Sequence, residues 1–206
     1  MINFTKISLK ALMHCTENKY IKDKTLYVDN NKAKWYITNS RDAYGYCKDV
    51  EDDPEVARYI TDSVYAYNYS DDVNRYSPVA KNITLSSLAY HYCKNIVDRP
   101  EVWKNITHSI YALDYCRFVA NRSEVARHIT DPFDAYNYCA KIEDDPEVAK
   151  NITESLWAYQ YCRYVKNRSE VRSHIRGGLK KVFYFEWPFV SVYRAVEKIF
   201  NMLHKE

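Results

Sequence analysis

Five of the six cysteines, Cys47, Cys93, Cys116, Cys139 and Cys162, are separated by 23 residues or by 46. Thiols at a fixed spacing invite two chemistries: a disulfide or a metal site. Ser70 fills the one missing station in the series, and Cys15 lies outside it. The histidines, at 14, 91, 108, 128, 174 and 204, share no common interval. Only His128 and His174 hold equivalent stations, two periods apart and too far for one metal or one dyad. No His-Glu-Xaa-Xaa-His, no Gly-Xaa-Ser-Xaa-Gly elbow and no Cys/His/Asp grouping stands in the sequence. Glycine occurs only at Gly45, Gly177 and Gly178, so no glycine-rich phosphate-cradling loop can be built. The expectation is a non-enzyme with no catalytic residue, no metal and no cofactor.

The thiol spacing belongs to a larger pattern. Ile recurs at 37, 60, 83, 106, 129, 152 and 175, always 23 residues on. Counting that Ile as place one, place seven is Ala in all six copies and place ten is Tyr: Tyr46, Tyr69, Tyr92, Tyr115, Tyr138 and Tyr161. Cys fills place eleven, Val or Ile place fourteen, and Val place twenty. A fixed period of this length is the signature of a repeat architecture.

Each copy reads as a helix-turn-helix. The first helix opens at Ser40, Ser63, Ser86, Ser109 or Ser155 as N-cap, with Pro132 in the fifth copy. Places seven, ten, eleven and fourteen fall on one stripe of such a helix, which is the expected buried face. The second helix begins at Asp53-Pro54-Glu55 or Asp145-Pro146-Glu147 and runs through Val148 to Ile152. Helices this short are marginal alone, so stability must come from stacking on neighbouring copies. The fold class expected is therefore all-α, an α-solenoid of six 23-residue helix-turn-helix repeats spanning 37–175. Stacked equivalent atoms lie roughly 8 to 10 Å apart, whereas a disulfide needs Cα atoms within about 7 Å. Along a linear stack the cysteine column therefore reads as small buried hydrophobes.

The ends depart from the period. Residues 1–36 read as an N-terminal cap, with a degenerate copy around Ile7 to Ile21 and a small β-hairpin turning at Asp29-Asn30-Asn31. Residues 176–206 read as a second cap, with an aromatic cluster from Phe183 to Phe189 and then an amphipathic helix carrying Val192, Val196, Ile199, Phe200 and Leu203. That segment either covers the open end of the stack or joins two copies into a homo-oligomer through 182–206. The N-terminus lacks the features of a signal peptide and no long apolar run exists, so a cytoplasmic protein without membrane attachment is expected.

Surface patterning is where a partner would be read. Net charge is only +3, so any charge-driven partner has to recognise a local pattern. Lys48, Lys94, Arg117 and Arg163 share place twelve and form an outward basic column, the candidate nucleic-acid contact. A second column, Arg58, Lys81, Lys104, Arg127 and Lys150, is largely offset by glutamates three residues earlier. Places six and thirteen vary most and lie side by side, giving Tyr65, Leu88, Tyr111, Phe118, Trp157 and Tyr164 as candidate protein-binding positions. Two readings stand for them: exposed aromatic anchors, or side chains that complete the packing between copies. In the second case Tyr44, Tyr67, Tyr90, Tyr136 and Tyr159 form the outward ladder. The Asn-Ile-Thr and Asn-Arg-Ser triplets match the glycosylation pattern only because the repeat recurs.

The unit Ile-Thr-Xaa-Ser-Xaa-Xaa-Ala-Tyr-Xaa-Tyr-Cys, closing with Asp-Pro-Glu-Val-Ala-Lys-Asn, resembles short helical repeats of bacteriophage-type proteins, in which a small residue such as Ala takes the Cys place. The resemblance covers 37–175 and is looser to TPR and HEAT solenoids, whose repeats are longer, about 34 and 40 to 47 residues. It implies a phage or virus source, action in host cytoplasm, and binding rather than turnover. The functional expectation is a scaffold that binds a protein, such as a phage factor that sequesters or inhibits a host protein. A nucleic-acid-binding solenoid is the first alternative. A small-molecule or nucleotide sponge, or an enzyme with a pocket at a repeat junction, is the second.

Overall fold

The computed structural model describes residues 4–6, 20–22, 25–29, 34 and 37–179. Three strands, β1 (Phe4–Lys6), β2 (Tyr20–Lys22) and β3 (Thr25–Asp29), form an antiparallel sheet in the order β1-β3-β2. Phe4 lies opposite Asp29 on one side of β3, and Lys22 lies opposite Thr25 on the other. β2 and β3 form the hairpin that is described, and the segment 30–36, where the Asp29-Asn30-Asn31 turn is expected to lead, lies outside the described residues apart from Lys34. Aromatic and β-branched residues are concentrated in Tyr20-Ile21 and in Thr25 to Val28, and those segments favour pairing. The degenerate copy over Ile7 to Ile21 and the cap and oligomer segment from 180 onward lie outside the described residues, apart from Tyr20 and Ile21 in β2.

The remaining described residues are helices and turns, and the chain is predominantly helical. It divides into two compact units, Met1–Ile106 and Thr107–Glu206. In the first, α1 (Ser40–Asp49) packs on α2 (Pro54–Ala57) and α3 (Ser63–Asp72). A 3-10 helix (Pro78–Asn82) follows, then α4 (Ser86–Asn95) and α5 (Pro100–Trp103), with α3 against α4 and α5 against the 3-10 helix. The second unit holds α6 (Ser109–Phe118), α7 (Ser123–Ala126), α8 (Pro132–Lys141), α9 (Pro146–Ala149), α10 (Ser155–Tyr164) and α11 (Ser169–Arg172). There α8 packs on both α6 and α10. No described helix is long and apolar enough to cross a membrane.

Every long helix runs from place four to place thirteen. Its N-cap is place three, one residue before the serine expected in that role. Asn39, Asp62 and Asp131 cap with their side chains, whereas Leu85, His108 and Glu154 do not. The serine is freed for another bond. Ser63 Oγ accepts the backbone N–H groups of Thr84 at 3.0 Å and Leu85 at 3.1 Å, and Ser40 accepts those of Thr61 and Asp62 in the same way. Ser109 and Ser155 repeat the contact in the second unit, with Asp131 and Arg176. At these four places one hydroxyl fastens the start of a copy to the start of the segment that follows it.

The long helix ends where the place-ten carbonyl accepts two N–H groups, as Tyr69 does from Val73 at 2.9 Å and Asn74 at 3.0 Å. Val or Ile at place fourteen is the C-cap, half-buried, so the fully buried stripe is Ala, Tyr and Cys without it. The second helix is a single turn, shorter than its sequence pattern suggested. Ile60 and Ile152 are instead reached through tight i to i+3 bonds from Ala57 and Ala149, and the Ile side chains are fully buried. Asn82, Asn105 and Asn151 close their copies by donating to the carbonyls of Ile60, Ile83 and Ile129 at 2.7 to 2.9 Å.

The core is a layer of Ile, Ala, Tyr, Cys and Val from these places, in which every place-seven Ala has zero exposure. A larger side chain there would push the helices apart. The place-ten tyrosines bury their rings, and Tyr69, Tyr92, Tyr138 and Tyr161 pass their hydroxyls to the preceding copy. Tyr69 donates to Asp52 Oδ1 at 2.5 Å, Tyr92 to the Arg75 carbonyl at 3.1 Å, Tyr138 to Asn121 at 2.9 Å and Tyr161 to Asp144 at 2.5 Å.

Candidate partner-binding surface

The cysteines answer the first chemical question. Cys47, Cys93, Cys116, Cys139 and Cys162 are buried and free. Four donate weakly from Sγ to the carbonyl that opens the second helix: Cys47 to Asp53, Cys116 to Arg122, Cys139 to Asp145 and Cys162 to Arg168, at 3.8 to 4.0 Å. Burial pushes the thiols of Cys47, Cys116 and Cys162 up to about 11 and that of Cys139 to about 12. At neutral pH they carry no thiolate, so they pack rather than react. Among the described residues no group of His, Cys, Asp and Glu is arranged to hold a metal ion.

The six candidate protein-binding positions separate by place. Place six turns toward the preceding copy: Tyr65 meets Tyr44 with ring centroids 5.9 Å apart, and Trp157 lies 4.6 Å from Phe133 and 5.5 Å from Tyr136, stacked on the latter. Tyr65, Leu88, Tyr111 and Trp157 are half-buried, and Tyr111 sits 5.7 Å from the His108 ring. Place thirteen faces solvent, and both Phe118 and Tyr164 are exposed. The two places are thus not equivalent: the aromatic rings of one complete the seam between copies, and those of the other are exposed. The proposed outward tyrosine ladder is also displaced, since Tyr90 and Tyr159 are buried and Tyr44, Tyr67 and Tyr136 half-buried in that seam.

Asp134, which with Asp42 is one of two aspartates at place six, is buried on α8. Loss of solvent raises its carboxyl above the ordinary aspartate range. Asp131 and Asp114 add to the rise, while the Ser109 hydroxyl opposes it.

The basic column lies against the seam aromatics. Lys48 bonds Asp72 at 2.7 Å and the Tyr44 hydroxyl at 3.0 Å while lying over the Tyr44 ring, and the Asp72 carboxylate holds its ammonium well above the usual lysine value. Lys94 repeats the pose on Tyr90, with a bond of 3.1 Å to the hydroxyl. Arg163 lies over both Tyr159 and Tyr164 and donates to the Tyr159 hydroxyl. Arg117 lies over Phe118, 5.0 Å from its centroid. In three copies, then, place eight and place twelve form an i, i+4 cation-aromatic pair. In the second column Arg58 pairs with Glu55 and Lys150 with Glu147, as the spacing implied.

An exposed apolar row of three consecutive copies stands at another place of the period. Place five, opposite the buried stripe, carries Ile110, Phe133 and Leu156 on α6, α8 and α10, with exposures of 48%, 47% and 46%. Because those helices are consecutive packed neighbours in the same register, the three side chains line one edge of the second unit. The signal was present in sequence as a column reading Arg41, Val64, Ser87, Ile110, Phe133 and Leu156. No protein-family model, curated protein or solved structure matches the chain.

Proposed function

We propose that the chain is a non-catalytic scaffold, a six-copy α-solenoid of helix-turn-helix repeats, that binds a protein partner through the outward side chains of its first helices. The observation that carries the reading is the row Ile110, Phe133 and Leu156, apolar, aligned and nearly half exposed on rigid helices. Surface apolar residues are ordinary one at a time, whereas aligned ones on a fixed framework mark interaction sites. The six-copy stack is supported by the same Ser and Tyr bonds recurring at the junctions inside both units. Together with the resemblance to bacteriophage-type repeats, this favours a factor acting in host cytoplasm to sequester or inhibit a host protein.

The test compares wild type with Ile110→Ser/Phe133→Ser/Leu156→Ser as baits in host lysate. Proteins enriched by wild type and lost from the triple variant, with helicity and melting temperature retained, support the reading. Identical enrichment by both baits overturns this surface as the binding edge.

Nucleic-acid binding is the second reading, favoured by Phe118 and Tyr164, each exposed beside a guanidinium lying over its ring. Bases stack on such platforms in sequence-tolerant fashion. Fluorescence anisotropy with labelled oligonucleotides at low salt checks it, and absence of affinity there dismisses it.

A further inference from the structure

Equivalent junctions can be compared place by place. Between the fifth and sixth copies, Asp144 takes the Tyr161 phenol on Oδ1 at 2.5 Å and the Arg168 guanidinium on Oδ2 at 2.7 Å. Arg168 Nε also donates to the Tyr161 oxygen at 2.6 Å, so the planar guanidinium spans phenol and carboxylate together. Between the first and second copies the receptor half of that arrangement is repeated. Asp52 takes the Tyr69 phenol on Oδ1 at 2.5 Å and Asn74 Nδ2 on Oδ2 at 3.2 Å. The guanidinium is missing, because place seventeen, which supplies Arg168 in the sixth copy, is Tyr76 in the second. Tyr76 turns outward, 73% exposed, with the Arg99 guanidinium 5.6 Å from its ring centroid.

A cleft opens at that place. It measures about 240 Å³ and includes Asp52 and Tyr69 in its lining, with Pro54, Ala57, Pro78 and Val79 as apolar walls. The equivalent space in the sixth copy, lined by Pro146, Ala149, Glu170 and Val171 and entered by Arg168, measures about 60 Å³. We propose that the cleft between the first and second copies is a binding site for a guanidinium group, received by the Asp52 carboxylate and the Tyr69 hydroxyl. The group comes from an arginine side chain of a partner or from a free arginine-like compound. The site lies in the first unit and stands independently of the apolar row in the second.

Two cations border the cleft. Arg58 is paired with Glu55 at 2.9 Å, just as Lys150 is paired with Glu147 beside Arg168, so a neutralised cation at this place coexists with a guanidinium. Lys81 is exposed on the rim, where the sixth copy has Ser173, and its ammonium weakens binding of another cation. The apolar walls suit the methylenes of an arginine stem. A lysine ammonium can reach a phenol and a carboxylate, as Lys48 does with Tyr44 and Asp72, but as a point charge it lacks the coplanar, fixed donors with which the guanidinium fork spans both at once.

The experiment is isothermal titration calorimetry of the full chain with acetyl-Gly-Arg-Gly-amide, its lysine counterpart, and free L-arginine. Saturable one-to-one binding of an arginine probe is expected, roughly tenfold or more tighter than the lysine peptide. Asp52→Asn should weaken it by roughly tenfold or more, since the charged acceptor is lost while the Tyr69 bond keeps a partner. Tyr76→Arg should abolish it and raise the melting temperature, because its own guanidinium fills the cleft. Lys81→Ser should tighten it severalfold. Tighter binding of the peptide assigns the group to a protein partner and tighter binding of free arginine assigns it to a metabolite, either of which supports the site. No saturation by either arginine probe, equal affinity for the lysine peptide, or undiminished binding by folded Asp52→Asn and Tyr76→Arg overturns it.

Discussion

At the scale of the residue, the place-ten tyrosine carries the most information. Its ring fills the core of one copy and its hydroxyl reaches an acceptor in the copy before. Removing that hydroxyl takes a donor from its acceptor in the neighbouring copy, and the loss scales with the acceptor's charge. Tyr138→Phe, which frees the neutral Asn121, should cost about 1 kcal/mol, and Tyr161→Phe, which frees the Asp144 carboxylate, about 1.5 to 3 kcal/mol, both read by urea unfolding. Exposed Tyr164→Phe should leave stability unchanged in the same assay. Asp134 makes a pH prediction of defined sign. Its carboxyl titrates above the unfolded value, so the fold is favoured at low pH by this group and that contribution is lost as pH rises through the folded value. Asp134→Asn should therefore raise the melting temperature at pH 7, and the gain should shrink as the pH falls through the ordinary aspartate range. A gain that persists undiminished in acid would contradict the burial argument.

Elements in this chain are too short to stand alone, and their ends decide how firmly they are held. The ten-residue helices share one frame, yet only some caps are made by side chains. Leu85 occupies a cap position where Asp62 and Asp131 each accept two N–H groups, and it is exposed. Leu85→Asp should therefore stabilise the protein by about 1 kcal/mol in thermal unfolding. Ser63→Ala acts in the opposite direction. It removes the acceptor for two backbone N–H groups of the following copy and should cost about 1 to 3 kcal/mol, the penalty of an unmet bond in a part-buried site. The fifth copy lacks that hydroxyl and carries Pro132 at the place, a residue that suits the first helical position because it has no N–H to satisfy there.

For the whole molecule, repetition converts one local solution into a framework with free outward places. The cysteine column follows from it. With the five repeat thiols buried and the titrated ones near 11 to 12, the native protein should give at most one reactive thiol, Cys15, with an aromatic disulfide reagent at pH 7, and all six in denaturant. Rapid modification of more than one thiol in the native state would show that the column is open to solvent. The same framework makes the apolar row and the cleft functional candidates, since Ile110, Phe133 and Leu156 stay nearly half exposed although Phe133 also packs on Trp157, and the cleft stays open beside the Asp52–Tyr69 bond.

Much of this could be read from the period alone. Invariant Ile, Ala, Tyr and Val at fixed places specified the helical copies and their buried faces, because a residue repeated at one station of a short amphipathic helix has one stable place to go. Helix direction, the Asp-Pro-Glu starts of the second helices and the packing role of the cysteines were equally legible. Tertiary structure alone decided what lies between copies. Serine reads as a cap within one helix, yet its hydroxyl is claimed by the next copy's backbone. Sequence leaves place six open between exposed anchors and packing between copies, and the contacts of Trp157 with Phe133 and Tyr136 decide for packing there. The Asp52 and Tyr69 receptor is invisible as spacing because it joins residues of two copies, and its cleft exists only because Tyr76 turns away where Arg168 turns in. Sequence periodicity fixes which face of a helix is buried in its own copy; only the neighbouring copy fixes what is left uncovered.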